Sequence, residues 1–359
     1  MNSLNLYRID LSTDSRNILA ALIKLLGPHA PYSLQILGTV LNTGPRSSTL
    51  QDVDPSKVSL WSTVPLHFDP VPTNDHPALF SIITFSYQNR QFRFFCSGES
   101  QAPSDPPTEA EKAHVEQVFE GLRDMAHEAR PTHDSAIVAL GGESWPRHRV
   151  DTDPSMIVIG GIHEKWADVL APMTTFQNPN VRYVFPRGAF SHDAAPVNGR
   201  MLRLEGGLTD ELVSSEIRAS DLSFVLGAST VPRSDGYILS RAPYSACLRS
   251  RAGEQPVACA LMHADGSIGV VHVDPNYQRQ GLGGLVLRAL TEKLDFGNDR
   301  EGTELLPGDH YQDLGGGALG WNWVNVAVDN ESGSRFFSSL AGKEGRWTCH
   351  WTYMLVDPN

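Results

Sequence analysis

Cysteine is scarce in this chain. It has 4 cysteines in 359 residues, Cys96, Cys247, Cys259 and Cys349. None forms a CxxC pair, so neither a disulfide scaffold nor a cysteine-rich zinc site is indicated. His350 beside Cys349 has no second pair at ligand spacing, and no metal is expected. Long apolar runs are missing too, since no stretch approaches the ~20 residues that a membrane span needs. An excess of positive charge is also absent: the formal net charge is −12, which argues against a general binder of nucleic acid or anionic membrane. The opening stretch MNSLNLYRIDLSTDSRN holds no long apolar segment and mixes Asp10 and Asp14 with Arg8 and Arg16. Neither a secretory nor a mitochondrial leader is expected, which makes the cytoplasm the expected location.

What is present is ordinary for a globular protein, with 40% hydrophobic and 19% charged residues. Domains average about 150 residues, so the length predicts two. In the first half, 17–26 has helical spacing and stops at Gly27-Pro28. Strand-like runs follow at 33–41, 57–63, 78–87 and 91–98. A Pro-rich break at 100–108 precedes a helical pattern over 109–126. The runs 135–140 and 155–161 read as buried strands, and 162–170 as a helix opening after the Gly160-Gly161 pair. The stretch 190–200 reads as a linker. Beyond it, 201–207 is a predicted strand and 209–217 a predicted helix capped by Thr209 or Asp210. PVACALMHADGSIGVVHVDP (256–275) reads as a hairpin turning at Asp265-Gly266. A glycine loop, a helix to about Leu294, an acidic irregular insert (295–319), a strand (321–328), a helix (331–340) and a last strand (346–356) complete the pattern. In that last strand Trp347, Cys349, Trp351, Tyr353 and Leu355 are expected on one face.

The loop QRQGLGG (278–284) carries the chemistry. It sits between a β-branched run and an amphipathic helix. Helix N-termini leave amides unpaired and carry partial positive charge, and phosphates bind there. Gly281, Gly283 and Gly284 let backbone come close to a bulky anion, and Arg279 adds charge. A P-loop would need Lys-Ser or Lys-Thr after the glycines, and a dinucleotide fingerprint would need glycine at 286, where Val286 stands. Ser144 in GGES lacks the GxSxG elbow and is not read as a nucleophile.

The hexamer Gln278-Arg279-Gln280-Gly281-Leu282-Gly283 matches [QR]xxGx[GA], and so resembles the pyrophosphate loop of the GNAT superfamily of N-acyltransferases. Upstream, VVHVDPNY looks like the superfamily's fourth strand. Downstream, VNVAVDNESGSRFFSSLAG resembles its second signature. The hairpin PVACALMHADGSIG, with SLQILGTVLNTG and KVSLWST near the start, is similar to the glycine N-acyltransferase-like group. The resemblance is specific over about 205–359 and rests on order and length over 30–190.

The resemblance implies an α/β (α+β) fold of tandem GNAT-like domains. Each would be a mixed, mostly antiparallel sheet flanked by helices. A degenerate domain would occupy 1–195 and the acyltransferase domain 201–359. It implies acetyl-CoA, or another acyl-CoA, as co-substrate, and a small-molecule amine or amino acid as acceptor. The amides of Gln280, Gly281, Leu282, Gly283 and Gly284, with Arg279, would hold the pyrophosphate. Val271, His272 and Val273 would pair with the pantetheine arm like an added strand. Asn330 and Phe337 would flank the cofactor. The sequence departs from the pattern where the family's base and acid are expected. Ser267 stands where the glycine N-acyltransferases carry Glu, and Phe337 where many relatives carry Tyr. Ser267 and His272 are the catalytic candidates, His263 and Asp265 stand nearby, and Tyr277 and Tyr353 are candidate acids. The acidic insert suggests a cationic amine. Three other readings stay open: a non-catalytic acyl-CoA sensor or scaffold, a protein or peptide N-acetyltransferase, and a nucleotide-binding oxidoreductase, which the missing third glycine disfavours.

Overall fold

The computed structural model describes residues 4–12, 14–43, 54–66, 79–86, 91–139, 156–186, 188–189, 199–203, 209–228, 233–251, 254–295, 314–341 and 345–355. The linker stretch 190–198, most of the acidic insert (296–313) and Ser144 lie outside the described residues.

Alternating apolar residues build the strands. In the first half these are β1 (Tyr7–Ile9), β2 (Val58–Ser62), β3 (Ser81–Ser86), β4 (Gln91–Cys96), β5 (Met156–His163) and β6 (Thr174–Pro186). In the second half they are β7 (Met201–Arg203), β8 (Thr209–Ser215), β9 (Ser245–Ser250), β10 (Pro256–Met262), β11 (Ile268–Val273), β12 (Trp321–Ala327) and β13 (Arg346–Leu355). They form an 8-stranded sheet, β1-β2-β3-β4-β5-β13-β6-β12, and a 5-stranded sheet, β11-β10-β9-β8-β7. Among the described strands, β4 and β5 alone pair parallel, and the other pairs are antiparallel. The fold is therefore α/β with mixed, mostly antiparallel sheets flanked by helices.

The strand faces explain the layers. In the larger sheet, Leu60, Ile82 and Phe95 turn to the core under α1 (Ser15–Leu26) and α2 (Leu34–Leu41). Ile83, Phe92 and Phe94 turn to the opposite core, with α3 (Gly98–Gln101) at its end and α4 (Glu109–Ala139) and α5 (Ala167–Leu170) on it. Along β10, Ala258, Ala260 and Met262 face the core that holds α8 (Leu282–Leu294). Cys259 and Leu261 face α6 (Leu222–Ala228) and α7 (Asp235–Ser240). α9 (Glu331–Ala341) follows β12 and sinks Phe337 into the α8 core.

The order of strands interleaves the two halves of the chain. β12 and β13 lie beyond residue 201 in sequence, yet both belong to the larger sheet. β13 is hydrogen-bonded to β5 on one side and to β6 on the other.

Several expectations need correction. The run 33–41 is not a strand but α2, and every residue of that helix is buried. A helix covered all round shows no polar stripe, so its period is hidden. The run 135–140 is not a strand either, because α4 continues to Ala139; a short apolar run does not distinguish the two. The predicted helix 209–217 is β8, whose ladders to β7 and β9 override local preference. Over 162–170 the strand β5 runs on to His163, and helical turns begin only at Glu164. The alternation along β13 breaks, since its register against β5 shifts between His350 and Thr352, and burial moves from Cys349 to Thr352 and Met354.

Candidate active site

β11 and β12 are the neighbouring edges of the two sheets. They lie side by side, but among the described residues β11 pairs only with β10 and β12 only with β6. An edge strand presents unpaired N–H and C=O groups, which a ligand with amide character can meet. The opening between the strands is a cleft with a backbone edge on each side.

β11 carries a bulge. Cys259 pairs with His272 and Leu261 with Gly269, so Val270 and Val271 oppose Ala260 alone. Val270 has φ +52, which a β-branched residue seldom adopts. Bulges release backbone groups from the ladder and cluster at active sites. Here the bulge leaves Val270 and Val271 outside the regular pairing with β10.

The glycine loop follows directly. Asp274 caps a short turn, Pro275–Tyr277, and Arg279 has φ +62. Gly281, at φ +75, is the N-cap of α8 and brings no capping side chain. The first-turn amides of Leu282, Gly283 and Gly284 therefore carry the helix's positive end without a side-chain cap. A Cβ on Gly281 or Gly284 would meet nothing within 4 Å, and one on Gly283 would meet the Phe336 ring at 3.5 Å. The space above the loop is open, and Phe336 forms its wall.

The remaining candidate binding residues divide by what they touch. The Gln280 side chain is engaged with Arg203: its Oε1 accepts from the Arg203 N–H (3.0 Å) and its Nε2 donates to the Arg203 carbonyl (3.1 Å). This ties β7 to the loop and leaves Gln280 its backbone for a ligand. Leu282 is buried and anchors the loop. Val271 and Val273 pack toward the α8 core. Asn330 caps α9, accepting from the Gly333 N–H at 2.9 Å. Phe337 is buried and stacks on Tyr183 at 6.0 Å, whereas its neighbour Phe336 is the aromatic that stands at the loop. The residue pair was legible, but which ring faces the loop depends on the phase of α9.

The catalytic candidates lie in two settings. The Ser267 hydroxyl donates to Asp265 Oδ1 at 2.6 Å, and its backbone N–H donates to the same oxygen at 3.0 Å. Asp265 is in turn ion-paired with Arg93 of β4 at 2.6 Å, with both side chains buried. Burial alone would raise the Asp265 pKa, but Arg93 and the Ser267 hydroxyl hold it well below the ordinary carboxylate range. Ser267 is thus committed to a buried carboxylate at the hairpin turn. His272 is on the face of β11 turned to α6, its ring 5.0 Å from Phe224. Burial lowers its pKa, against a smaller opposing pull from Asp274.

A third group sits beside the bulge. His263 Nδ1 lies 2.9 Å from the Tyr237 hydroxyl of α7. The imidazole rests over Gly269, where a Cβ would overlap its Nε2. Burial, helped by Arg233, lowers the His263 pKa to about 3, and Asp265 opposes this. His263 therefore stays neutral across the physiological range. Arg93 could have been suspected from sequence, because a lone arginine in the apolar run QFRFFC requires a buried partner. Tyr237 had no comparable signal. Among the described residues, no cluster of three or more His, Cys, Asp or Glu is arranged to hold a metal ion. Within the same residues, no helix is long and apolar enough to cross a membrane.

No protein-family model matches the chain, and no curated protein matches it in sequence. Among solved structures the chain is similar to a Drosophila protein from a structural-genomics consortium, at 12% identity over 98% of this chain and 99% of that chain, with a TM-score of 0.54. It is also similar to a tandem GNAT protein from the clavulanic acid biosynthesis pathway, at 10% identity over 99% of each chain, with a TM-score of 0.43. A third is a GCN5-related N-acetyltransferase from Sphaerobacter thermophilus, at 9% identity over 100% of this chain and 98% of that chain, with a TM-score of 0.43. With the first of these the chain shares its overall fold along nearly its whole length, and at such identity the fold alone is shared. The two lower scores add nothing to that.

Proposed function

We propose that this chain is an acyl-CoA-dependent N-acyltransferase, with acetyl-CoA as the default donor and a small amine or amino acid as acceptor. The observation that carries the reading is the combination at the cleft. Two unpaired strand edges, a bulge and an uncapped helix N-terminus with open space above its glycines all meet there. The amides of 280–284 and Arg279 would hold the donor's pyrophosphate, and the edge of β11 its pantetheine arm. The acceptor nitrogen would attack the thioester carbonyl, aided by the amide freed at the bulge. Collapse of the tetrahedral adduct breaks the C–S bond. The amine proton passes to a base, and the departing thiolate takes up a proton to leave as free thiol. Ser267 and His272 remain the candidates from sequence for the proton step. Of the two, His272 has the free neutral nitrogen chemistry that the step needs.

The chain is further proposed to consist of two GNAT-like units, 1–195 and 201–359. On that reading β5 and β6 of the first unit correspond to β11 and β12 of the second. The position between β5 and β6 is filled by β13, so one donor site per chain is expected.

Titration calorimetry with acetyl-CoA tests both points. Micromolar binding at one site per chain is expected, and Gly284→Phe should abolish it while leaving the fold intact, because the new side chain meets open space. Binding by Gly284→Phe equal to wild type would remove the donor from this loop. The commitment of Ser267 to Asp265 favours a second reading, a non-catalytic acyl-CoA binder. Tight binding with no thiol release across an amine panel would select it.

A further inference from the structure

His263 and Tyr237 meet on the face of β11 that turns to α6 and α7. The Tyr237 hydroxyl lies 2.9 Å from His263 Nδ1, and the two rings stack with centroids 5.9 Å apart. The imidazole rests against Gly269, where a Cβ would stand 2.1 Å from Nε2. A residue without a side chain is what admits the ring there. Gly269 immediately precedes Val270, the residue at φ +52 that opens the bulge. Nε2 is therefore held one residue from the place where the thioester carbonyl is expected.

The direction of the Tyr237–His263 bond follows from its surroundings. The Ala264 N–H donates to the Tyr237 oxygen at 3.5 Å, and a backbone amide can only donate. Burial raises the pKa of Tyr237, so the phenol keeps its proton. The phenol therefore donates and Nδ1 accepts. A neutral imidazole that accepts on one nitrogen carries its hydrogen on the other. Burial lowers the pKa of the ring to about 3, with help from Arg233 and Arg241 at the two ends of α7 and from Arg93 of β4, against the opposing carboxylate Asp265. His263 thus stays neutral and presents Nε2–H toward the bulge. It has no lone pair there with which to take up a proton.

We propose that the Nε2–H of His263 donates a hydrogen bond to the thioester carbonyl oxygen of the donor at the bulge, and that Tyr237 is the positioning residue that fixes this tautomer. The proposal rests on the acyltransferase reading and assigns a catalytic residue within it. As the acceptor nitrogen bonds to the carbonyl carbon, the C=O π pair moves onto oxygen. A neutral imidazole N–H, kept neutral by its lowered pKa, can meet that charge. When the C–S bond breaks, the pair returns to the carbonyl. The hydrogen stays on Nε2 throughout, so the amine's proton leaves by another group. His263 is then a donor, and not one of the bases that the sequence placed near the hairpin.

The tautomer is read first, in the full chain without ligand, from the side-chain nitrogen chemical shifts of its 13 histidines. The His263 signal is the one that His263→Gln lacks. It is expected to show a protonated Nε2 and a bare Nδ1, unchanged from about pH 8 to about pH 5. In Tyr237→Phe the two tautomers should mix, which loss of packing alone would not produce. The second readout needs no turnover. The Nε2–H signal should shift when the ketone analogue of acetyl-CoA, with a methylene in place of the thioester sulfur, is added. Free coenzyme A, which has no carbonyl, should leave it in place. In thiol-release assays across an amine panel, His263→Phe should lower kcat about 10²–10³-fold, with the KM for acetyl-CoA little changed. His263→Gln keeps an N–H donor and should recover part of that loss. A protonated Nδ1 in the resting protein, binding of the ketone analogue without a shift at Nε2–H, or wild-type kcat in His263→Phe overturns the proposal and leaves the acyltransferase reading standing. A chain that binds neither the analogue nor coenzyme A loses the acyltransferase reading, and this proposal falls with it.

Discussion

At the scale of single residues, the buried charges set the chemistry of the molecule. Glu99 accepts from the Trp166 indole at 2.9 Å and the Cys96 N–H at 3.0 Å, and burial pushes its pKa up to about 8. His163 is lowered to about 3, by burial first and then by Arg182 and Lys165. The two act in opposite directions. Glu99 stabilises the fold fully below its ordinary value of 4.5 and loses that contribution as pH rises through 8. His163 contributes fully above its ordinary 6.5 and loses it as pH falls through 3. Between 4.5 and 6.5 the slopes of Glu99 and His163 cancel, and His263, lowered to about 3 in the same way, adds a rise of its own, so stability is expected to climb with pH there. Above that range only the Glu99 slope remains. Urea melts should show wild type losing about 1 kcal/mol between pH 7 and pH 8, and Glu99→Gln should lack this alkaline fall. An equal fall in the variant would place its cause elsewhere. Arg93→Met should cost about 3–5 kcal/mol in the same melts, because it strands Asp265 without its counter-charge. A cost under about 1 kcal/mol, the usual value of an exposed pair, would show that Asp265 finds another partner or a proton.

At the scale of elements, legibility followed the kind of signal. The strand, loop and helix over 268–294 could be read because glycines and β-branched residues mark backbone requirements that no distant contact alters. The hairpin turn at Asp265-Gly266 could be read for the same reason, Gly266 having φ +85. α2 was hidden because it is buried on every side. β8 was hidden because its conformation comes from β7 and β9, which are its neighbours in space. Within the candidate site, the loop amides were visible in sequence. The Tyr237–His263 pair was not, since it joins α7 to β10 across the sheet. One element invites a stability test. Gly284 lies in the first turn of α8 with open space around it. Gly284→Ala should therefore stabilise the protein by up to about 1 kcal/mol through helix propensity. Thermal melts would register it, and a loss of stability would mean that the turn needs glycine for its backbone.

At the scale of the whole molecule, the two halves are interleaved. Pairwise strand order could not be read from a pattern that reports only local period, so the sharing of β12 and β13 was invisible in sequence. It has a direct consequence for cooperativity. The stretch 1–195 alone lacks both strands, and its circular dichroism is expected to show incomplete sheet. The full chain should unfold in one calorimetric transition. Two separated transitions, or a well-folded 1–195, would mean that the seam around β13 contributes little.

The position of β13 also bears on how the protein is made. The strand that joins β5 to β6 is translated after every other strand of their sheet. At about 5–20 residues per second, the ribosome takes on the order of 10–30 s to pass from Pro186 to Arg346. Until β13 is made, the nascent chain presents β5 with one open edge, and among the described strands β6 has no partner at all until β12 is made. Such edges attract other chains, so this protein should lean on cotranslational chaperones to a degree that its finished structure does not reveal.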